Sequence, residues 1–175
     1  MRFVKTDVLS KLRGGDRLSL ARSGEIVRKI ANDPELFAQV FEGLLSVDPI
    51  LRMRAADAIE KATRKHPELL KSYKRGLLRK IALIDQQEVR WHVAQILPRL
   101  QMTAKERHHA VSILLDYLED KSSIVRTFAM QGLADFAMGD PRLRARVAPL
   151  IEFLTSEGTP AMRARGRKLL VQLKR

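Results

Sequence analysis

Cysteine is absent from this 175-residue chain. Disulfides, thiol nucleophiles and cysteine-ligated metals are excluded, and a reducing compartment is the natural expectation. Aromatic residues are few, and only one of them is a tryptophan, Trp91. No stretch approaches the roughly 18 apolar residues of a membrane span. The opening MRFVKTDVLSKLRGG lacks the unbroken apolar run of a signal peptide, so the sequence reads as soluble and cytoplasmic. No segment alternates with period two over a useful length, so no strand is expected. Acidic residues are the scarce sign of charge: 20 against 33 Lys and Arg, a formal net charge of +13. So basic a domain points to a polyanionic partner, whether nucleic acid, an anionic membrane surface or an acidic protein. A merely well-solvated surface is the plainer alternative. With 45% apolar and 30% charged residues, the chain can bury a core and is not a disordered tail. Its length suits one compact domain.

What the sequence does contain is repetition. DPELFAQVFEGLL at 33–45 returns as HPELLKSYKRGLL at 66–78. Four further segments align without gaps: ILRMRAADAIEKA, EVRWHVAQILPRL, IVRTFAMQGLADF and AMRARGRKLLVQL. They share Arg52, Arg90, Arg126 and Arg163. Counted from the residue before each arginine, offsets 0, 4, 7, 8 and 11 are almost all apolar. The columns are Leu51, Val89, Val125, Met162; Ala55, Val93, Ala129, Gly166; Ala58, Ile96, Gly132, Leu169; Ile59, Leu97, Leu133, Leu170; and Ala62, Leu100, Phe136, Leu173. That spacing draws one stripe down a helix, so four amphipathic helices are predicted. Asp48, Gln86, Ser122 and Thr159 precede them, and all but the glutamine are good N-cap types. Pro49 and Pro160 take the first helical position, where a missing N–H costs nothing.

Partner helices lie between. Pro34 and Pro67 open two of them; the last carries Leu143, Val147, Leu150, Ile151 and Leu154 at the same offsets. A third, around 104–118, fits more loosely through Val111, Leu114, Leu115 and Leu118. Each unit is a helical hairpin of about 37 residues that buries its apolar face only by stacking on neighbours. In the first thirty residues, Leu20, Val27 and Ile30 predict a further helix, with Gly14-Gly15 as the preceding turn.

A proline-capped turn followed by an apolar-Arg pair and small residues, as in DPILRMRAADAI and TPAMRARGRKLL, resembles the HEAT-repeat (armadillo-like) family. The resemblance spans roughly residues 34–174, although the units are shorter than the roughly 40–47 residues usual there. The tetratricopeptide pattern of Trp, Gly and Tyr is not met. The resemblance implies an all-α, right-handed α-solenoid of about four hairpins behind N-terminal capping helices. That is a single domain over 1–175, with a cap at 1–32 and units near 33–65, 66–102, 103–139 and 140–175. It further implies a binding scaffold in which the second helix of each hairpin lines a concave face. Offset 2 points away from the apolar stripe and holds Met53, Trp91, Thr127 and Ala164. The candidate partner-binding surface is therefore Met53, Arg54, Trp91, His92, Gln95, Thr127, Gln131, Arg165 and Lys168. Trp91 is either an exposed aromatic of the kind that anchors interfaces or a ring laid over the next hairpin. In this family the offset-1 arginine ties adjacent repeats together, often through turn aspartates; Asp48, Asp85 and Asp120 are at hand.

Other basic residues are harder to explain by folding. Lys71, Arg75 and Arg79 follow at i, i+4 and i+8, and Arg142 with Arg146, and Arg163 with Arg167, repeat the spacing. Like charges so placed cost about 0.2–0.5 kcal/mol per pair, and such stripes suit a phosphate backbone. Arg163, Arg167 and Lys174 also suit the solvent face of a terminal helix.

Catalytic patterns are wanting. His108 and His109 are adjacent and diverge by about 100° on a helix, so they cannot chelate one ion. No HExxH, phosphate-binding loop or GxSxG is present, RGGDRLS lacking the required Gly-Lys-Ser/Thr ending. No metal, cofactor or small-molecule substrate is expected. One enzymatic resemblance is to HEAT-like alkylpurine DNA glycosylases, basic solenoids that pair an aromatic residue with a carboxylate one helical turn on. Trp91 matches the former, but one turn on stands Gln95, an amide that cannot stabilise a developing cation. The reading is a non-enzymatic scaffold for protein or nucleic acid, with a DNA-binding relative of those glycosylases as the alternative.

Overall fold

The computed structural model describes residues 9, 12 and 23–174. Leu20 and Gly14-Gly15 lie outside them. Every regular element among the described residues is a helix, and no helix there is long and apolar enough to cross a membrane. The chain divides into two compact units, Met1–Lys74 and Arg75–Arg175, and the division falls inside the second sequence unit.

In the first unit, α1 (Ser23–Asn32), α2 (Pro34–Gly43) and α3 (Pro49–Thr63) pack mutually. Asp33 caps α2, its carboxylate accepting from Glu35 N–H and Leu36 N–H at 3.0 and 3.1 Å, with Pro34 at the first position. Asp48 caps α3 in the same way through Ile50 N–H at 2.9 Å. Ile26, Ile30, Phe37, Val40, Leu51 and Ile59 form the core, each worth about 1.5–3 kcal/mol on burial.

The helix expected from Pro67 does not run through. A 3₁₀ turn spans Pro67–Leu70, residues 71–73 form turns, and α4 covers only Lys74–Arg79. At this break the Tyr73 ring packs against Phe37 and Phe41 at centroid distances of 5.2 and 4.3 Å. Ser72 and Gly76 add little helical propensity there.

In the second unit, a 3₁₀ turn at Ile81–Leu83 leads to α5 (Gln87–Ile96), then α6 (Ala104–Tyr117), α7 (Ser123–Ala137), α8 (Pro141–Glu157) and α9 (Pro160–Leu173). Helix α7 packs on α5, α6, α8 and α9, and α8 packs on α9. Thr103 and Glu106 form a capping box at α6; Asp140 and Thr159 cap α8 and α9. Ser122 precedes α7 as expected, yet its side chain makes no cap hydrogen bond. Asp120 accepts from Ser122 N–H instead, at 2.8 Å.

The five columns read from the repeat are buried throughout, except Leu170, which is half-buried. Two glycines in those columns permit close approach. A Cβ on Gly132 would lie 2.8 Å from Ala94 O, and one on Gly166 would lie 1.8 Å from Thr155 Oγ1. One partner-helix residue departs from expectation: Leu150 is 40% exposed. Helix α8 turns Val147, Ile151 and Leu154 inward, which leaves Leu150, at the trailing edge of its stripe, facing out beside Arg146.

Candidate binding surface

Within the second unit, the row α5–α7–α9 brings several candidates together. Arg165 donates to Gln131 Oε1 at 2.7 Å, and its guanidinium lies over the Phe128 ring at 5.8 Å. On α5, Gln95 donates its amide to Trp91 O at 3.1 Å. Trp91 and Gln95 are half-buried and Lys168 is exposed. The Trp91 ring tilts against His92 at 5.6 Å, so it is neither bare nor sealed inside.

Other members of the set lie deeper. His92 and Thr127 are each only 8% exposed, and the Thr127 hydroxyl donates to Ser123 O in its own helix at 2.6 Å. In the first unit Met53 is half-buried, while Arg54 is buried and donates to Leu12 O at 2.6 Å. Placed next to the apolar stripe, Arg54 and His92 follow it into the core, and Thr127, on the opposite side of α7, is buried because that helix has neighbours on several sides.

The offset-1 arginines divide by position. Arg90 donates to Asp120 Oδ2 at 2.6 Å and lies 3.1 Å from Asp85 Oδ1. Burial works against the charged guanidinium, but the hydrogen bond to Asp120 and the nearby carboxylate charges outweigh it and hold Arg90 above the ordinary arginine value. The Tyr117 phenol, pushed above its usual range by burial, lies beneath that guanidinium and donates to Ala82 O at 2.7 Å. Arg52 donates to Ser46 O at 2.7 Å. Arg126 has its Nε buried with no hydrogen-bond partner among the described residues. Arg163 is exposed. The sequence did not single out Arg107, which reaches from α6 to Phe136 O and lies 3.7 Å from Asp140.

All seven basic-stripe residues, Lys71, Arg75, Arg79, Arg142, Arg146, Arg163 and Arg167, are exposed. None of their side chains makes an ion pair or hydrogen bond among the described residues. Lys71 does not belong to the helix that carries Arg75 and Arg79, because the chain breaks at 71–73. The stripe expected there is thus the pair Arg75 and Arg79 on α4.

Residues 141–175 are strongly one-sided, with nine Lys and Arg against Glu152 and Glu157 alone. On α8 the exposed strip continues from Arg142 and Arg146 into Leu150 and Phe153, the latter 63% exposed. Phe153 sits one position before the last apolar column, so periodicity alone assigned it no role. A surface combining unpaired cations with a bare ring can hold phosphates electrostatically and offer a face on which a base stacks.

A second feature escaped the sequence because its residues are distant in the chain. Arg75, Leu78 and Arg79 of α4 and Thr103, Lys105, Glu106, His108, His109 and Ser112 around the start of α6 line an open cleft of about 640 Å³. His109 donates Nε2–H to Leu78 O at 3.2 Å, the acceptor-only carbonyl placing the proton on that nitrogen. A smaller cleft of about 380 Å³ lies among Asp85, Gln87, Arg90, Glu119, Asp120, Lys121 and Ser122. No group of three or more His, Asp or Glu able to hold a metal occurs among the described residues. No protein-family model matches the chain, and no curated protein matches it significantly.

Proposed function

We propose that this protein is a non-enzymatic helical-repeat scaffold that binds nucleic acid through a basic surface centred on α8 and α9. One observation carries the reading. Arg142, Arg146, Arg163, Arg167, Lys168 and Lys174 are exposed and unpaired among the described residues, on or just beyond two helices that hold only two carboxylates. Holding like charges together without relief disfavours folding, so their placement is accounted for by a partner that supplies the missing negative charge. A phosphate backbone does so at regular spacing, and Phe153 adds a stacking surface of the kind single-stranded binders use.

The scaffold part of the proposal is a solenoid of the HEAT type. The matching columns support it, as does the succession in which α7 packs on both α5 and α9. Trp91, Gln95, Gln131, Arg165 and Lys168 along that succession would form a second contact row. An acidic protein partner fits the charge equally in sign; the phosphate backbone is preferred because it repeats its charge along a line and carries bases for Phe153 to stack on.

The DNA-glycosylase alternative gains no support. The residue one turn beyond Trp91 is an amide whose nitrogen is engaged by Trp91 O, and an amide cannot offset a developing glycosyl cation.

Electrophoretic mobility shift with duplex and single-stranded oligonucleotides at low ionic strength tests the proposal. A shift that fades as salt is raised is the expected result; no shift in about 20 mM salt, where electrostatic binding is strongest, would remove nucleic acid as the partner. Base release from alkylated DNA, expected to be nil, tests the enzymatic alternative with the same protein.

A further inference from the structure

We infer that the cleft between α4 and the start of α6 is a dedicated seat for the sugar–phosphate backbone of that nucleic acid, separate from the α8–α9 surface. The inference rests on the nucleic-acid reading and adds a site to it. Arg75, Arg79 and Lys105 place three full positive charges around one concavity, and His108 adds a fourth basic side chain. All four are exposed, and none has a partner among the described residues.

The single carboxylate in the lining, Glu106, does not answer them. Its Oε2 accepts from Thr103 N–H at 2.8 Å and from Thr103 Oγ1 at 3.0 Å, closing the capping box of α6. The capping box takes up the N–H groups of Thr103 and Glu106, and it is the side chains that define the site. Ser112, exposed on the far side, supplies a neutral hydroxyl donor.

The open cleft, of about 640 Å³, has room for more than one inorganic anion. Cations spread around it match several charged groups in series rather than one carboxylate. Arginine and lysine together are the usual means of holding phosphate oxygens. His109 takes no direct part, since its Nε2–H is given to Leu78 O, and that bond fixes α6 against α4.

Two measurements test the inference, each on the full chain. In the first, fluorescence anisotropy with a labelled single-stranded oligonucleotide compares wild type, the cleft variant Arg75→Gln/Lys105→Gln, and a charge-matched control, Lys65→Gln/Lys121→Gln. The cleft variant is expected to bind about tenfold more weakly than the control, its log–log salt slope shallower by about 0.7 for each single-strand phosphate it no longer neutralises. In the second, inorganic pyrophosphate is titrated at constant ionic strength while His108 and Lys105 resonances are followed by NMR. Saturable shifts confined to the cleft are expected. If the cleft variant and control bind alike, the inference is overturned while the α8–α9 reading survives. If pyrophosphate shifts the cleft but no oligonucleotide binds, nucleic acid is excluded as the occupant, and the nucleic-acid reading falls too. If neither ligand acts, both are refuted.

Discussion

Helices α3 and α9 hold the same place in the repeat, with the same apolar columns and similar numbers of cations, yet they dispose of those cations in opposite ways. Arg52, Arg54, Lys61 and Arg64, on or just beyond α3, are all engaged. They reach Ser46 O, Leu12 O, Asp57 and Glu60 respectively, at 2.6 to 2.8 Å. Glu60 is fully buried and receives both nitrogens of a bidentate Arg64, whose charged state the pair stabilises. On or just beyond α9, Arg163, Arg167, Lys168 and Lys174 find no partner among the described residues, and Arg165 alone is tied, to Gln131. Helix α3 contains Asp57 and Glu60; α9 contains no carboxylate. The lesson is that net charge by itself says little about binding. What distinguishes a binding cation from a structural one is whether the fold has supplied its counter-charge.

That distinction is open to attack at several points. The largest effect is expected from Arg163→Gln/Arg167→Gln/Lys168→Gln in α9. Oligonucleotide affinity at about 0.1 M salt should fall on the order of a hundredfold, as three phosphate contacts would imply. Stability in urea should move by no more than about 0.5 kcal/mol, as for surface positions generally. In α3 the pattern should invert. Glu60→Gln should cost about 1–3 kcal/mol in urea unfolding, because charge-assisted hydrogen bonds disappear from a buried site, with oligonucleotide affinity unchanged. The cost stays below that for a fully buried pair because the Arg64 side chain is 56% exposed and regains water.

A packing contrast in the same column is expected to be smaller. Where α3 has Ala55, fully buried without strain, α9 has Gly166 against Thr155. Gly166→Ala should destabilise by about 1–2 kcal/mol, overpacking outweighing the gain in helix propensity, and melting in a calorimeter would show it. Smallest of all, Lys61→Ala should cost only about 0.3–0.5 kcal/mol, since its i, i+4 pair with Asp57 is partly solvated. A measured cost near that of Glu60→Gln would show that surface pairing in α3 carries more than is assigned to it.

Much of this architecture was legible in the sequence because helical period and caps are local signals. The column Leu51, Val89, Val125, Met162 is buried in all four helices, and Asp33, Asp48 and Thr159 cap as their types require. Legibility failed where a distant contact overrode local preference. The helix from Pro67 breaks where the Tyr73 ring meets Phe37 and Phe41, on a helix well upstream in the chain, a contact that local periodicity does not register. Leu150 faces out because it lies at the edge of its stripe, where offsets alone do not fix which side is covered. Arg54 and His92 flank the stripe so closely that a period alone could not say on which side of the surface they fall, and Thr127, opposite the stripe, is buried by the several neighbours of α7, which a period cannot show. Exposure of the basic stripes was readable, since no acid follows them at helical spacing. The cleft was not, because it joins Arg75 and Arg79 to Lys105 and His108 across an intervening helix.

The most direct test of the claim that α9 keeps its cations for a phosphate chain is the salt dependence of oligonucleotide affinity, compared between wild type and the α9 triple variant. The slope of log K against log salt should be steep for wild type and shallower in the variant by about two units or more, close to 0.7–0.9 for each phosphate left without its cation. Equal slopes, with the variant still folded, would mean that these arginines and lysines hold nothing, and that their exposure is solvation alone.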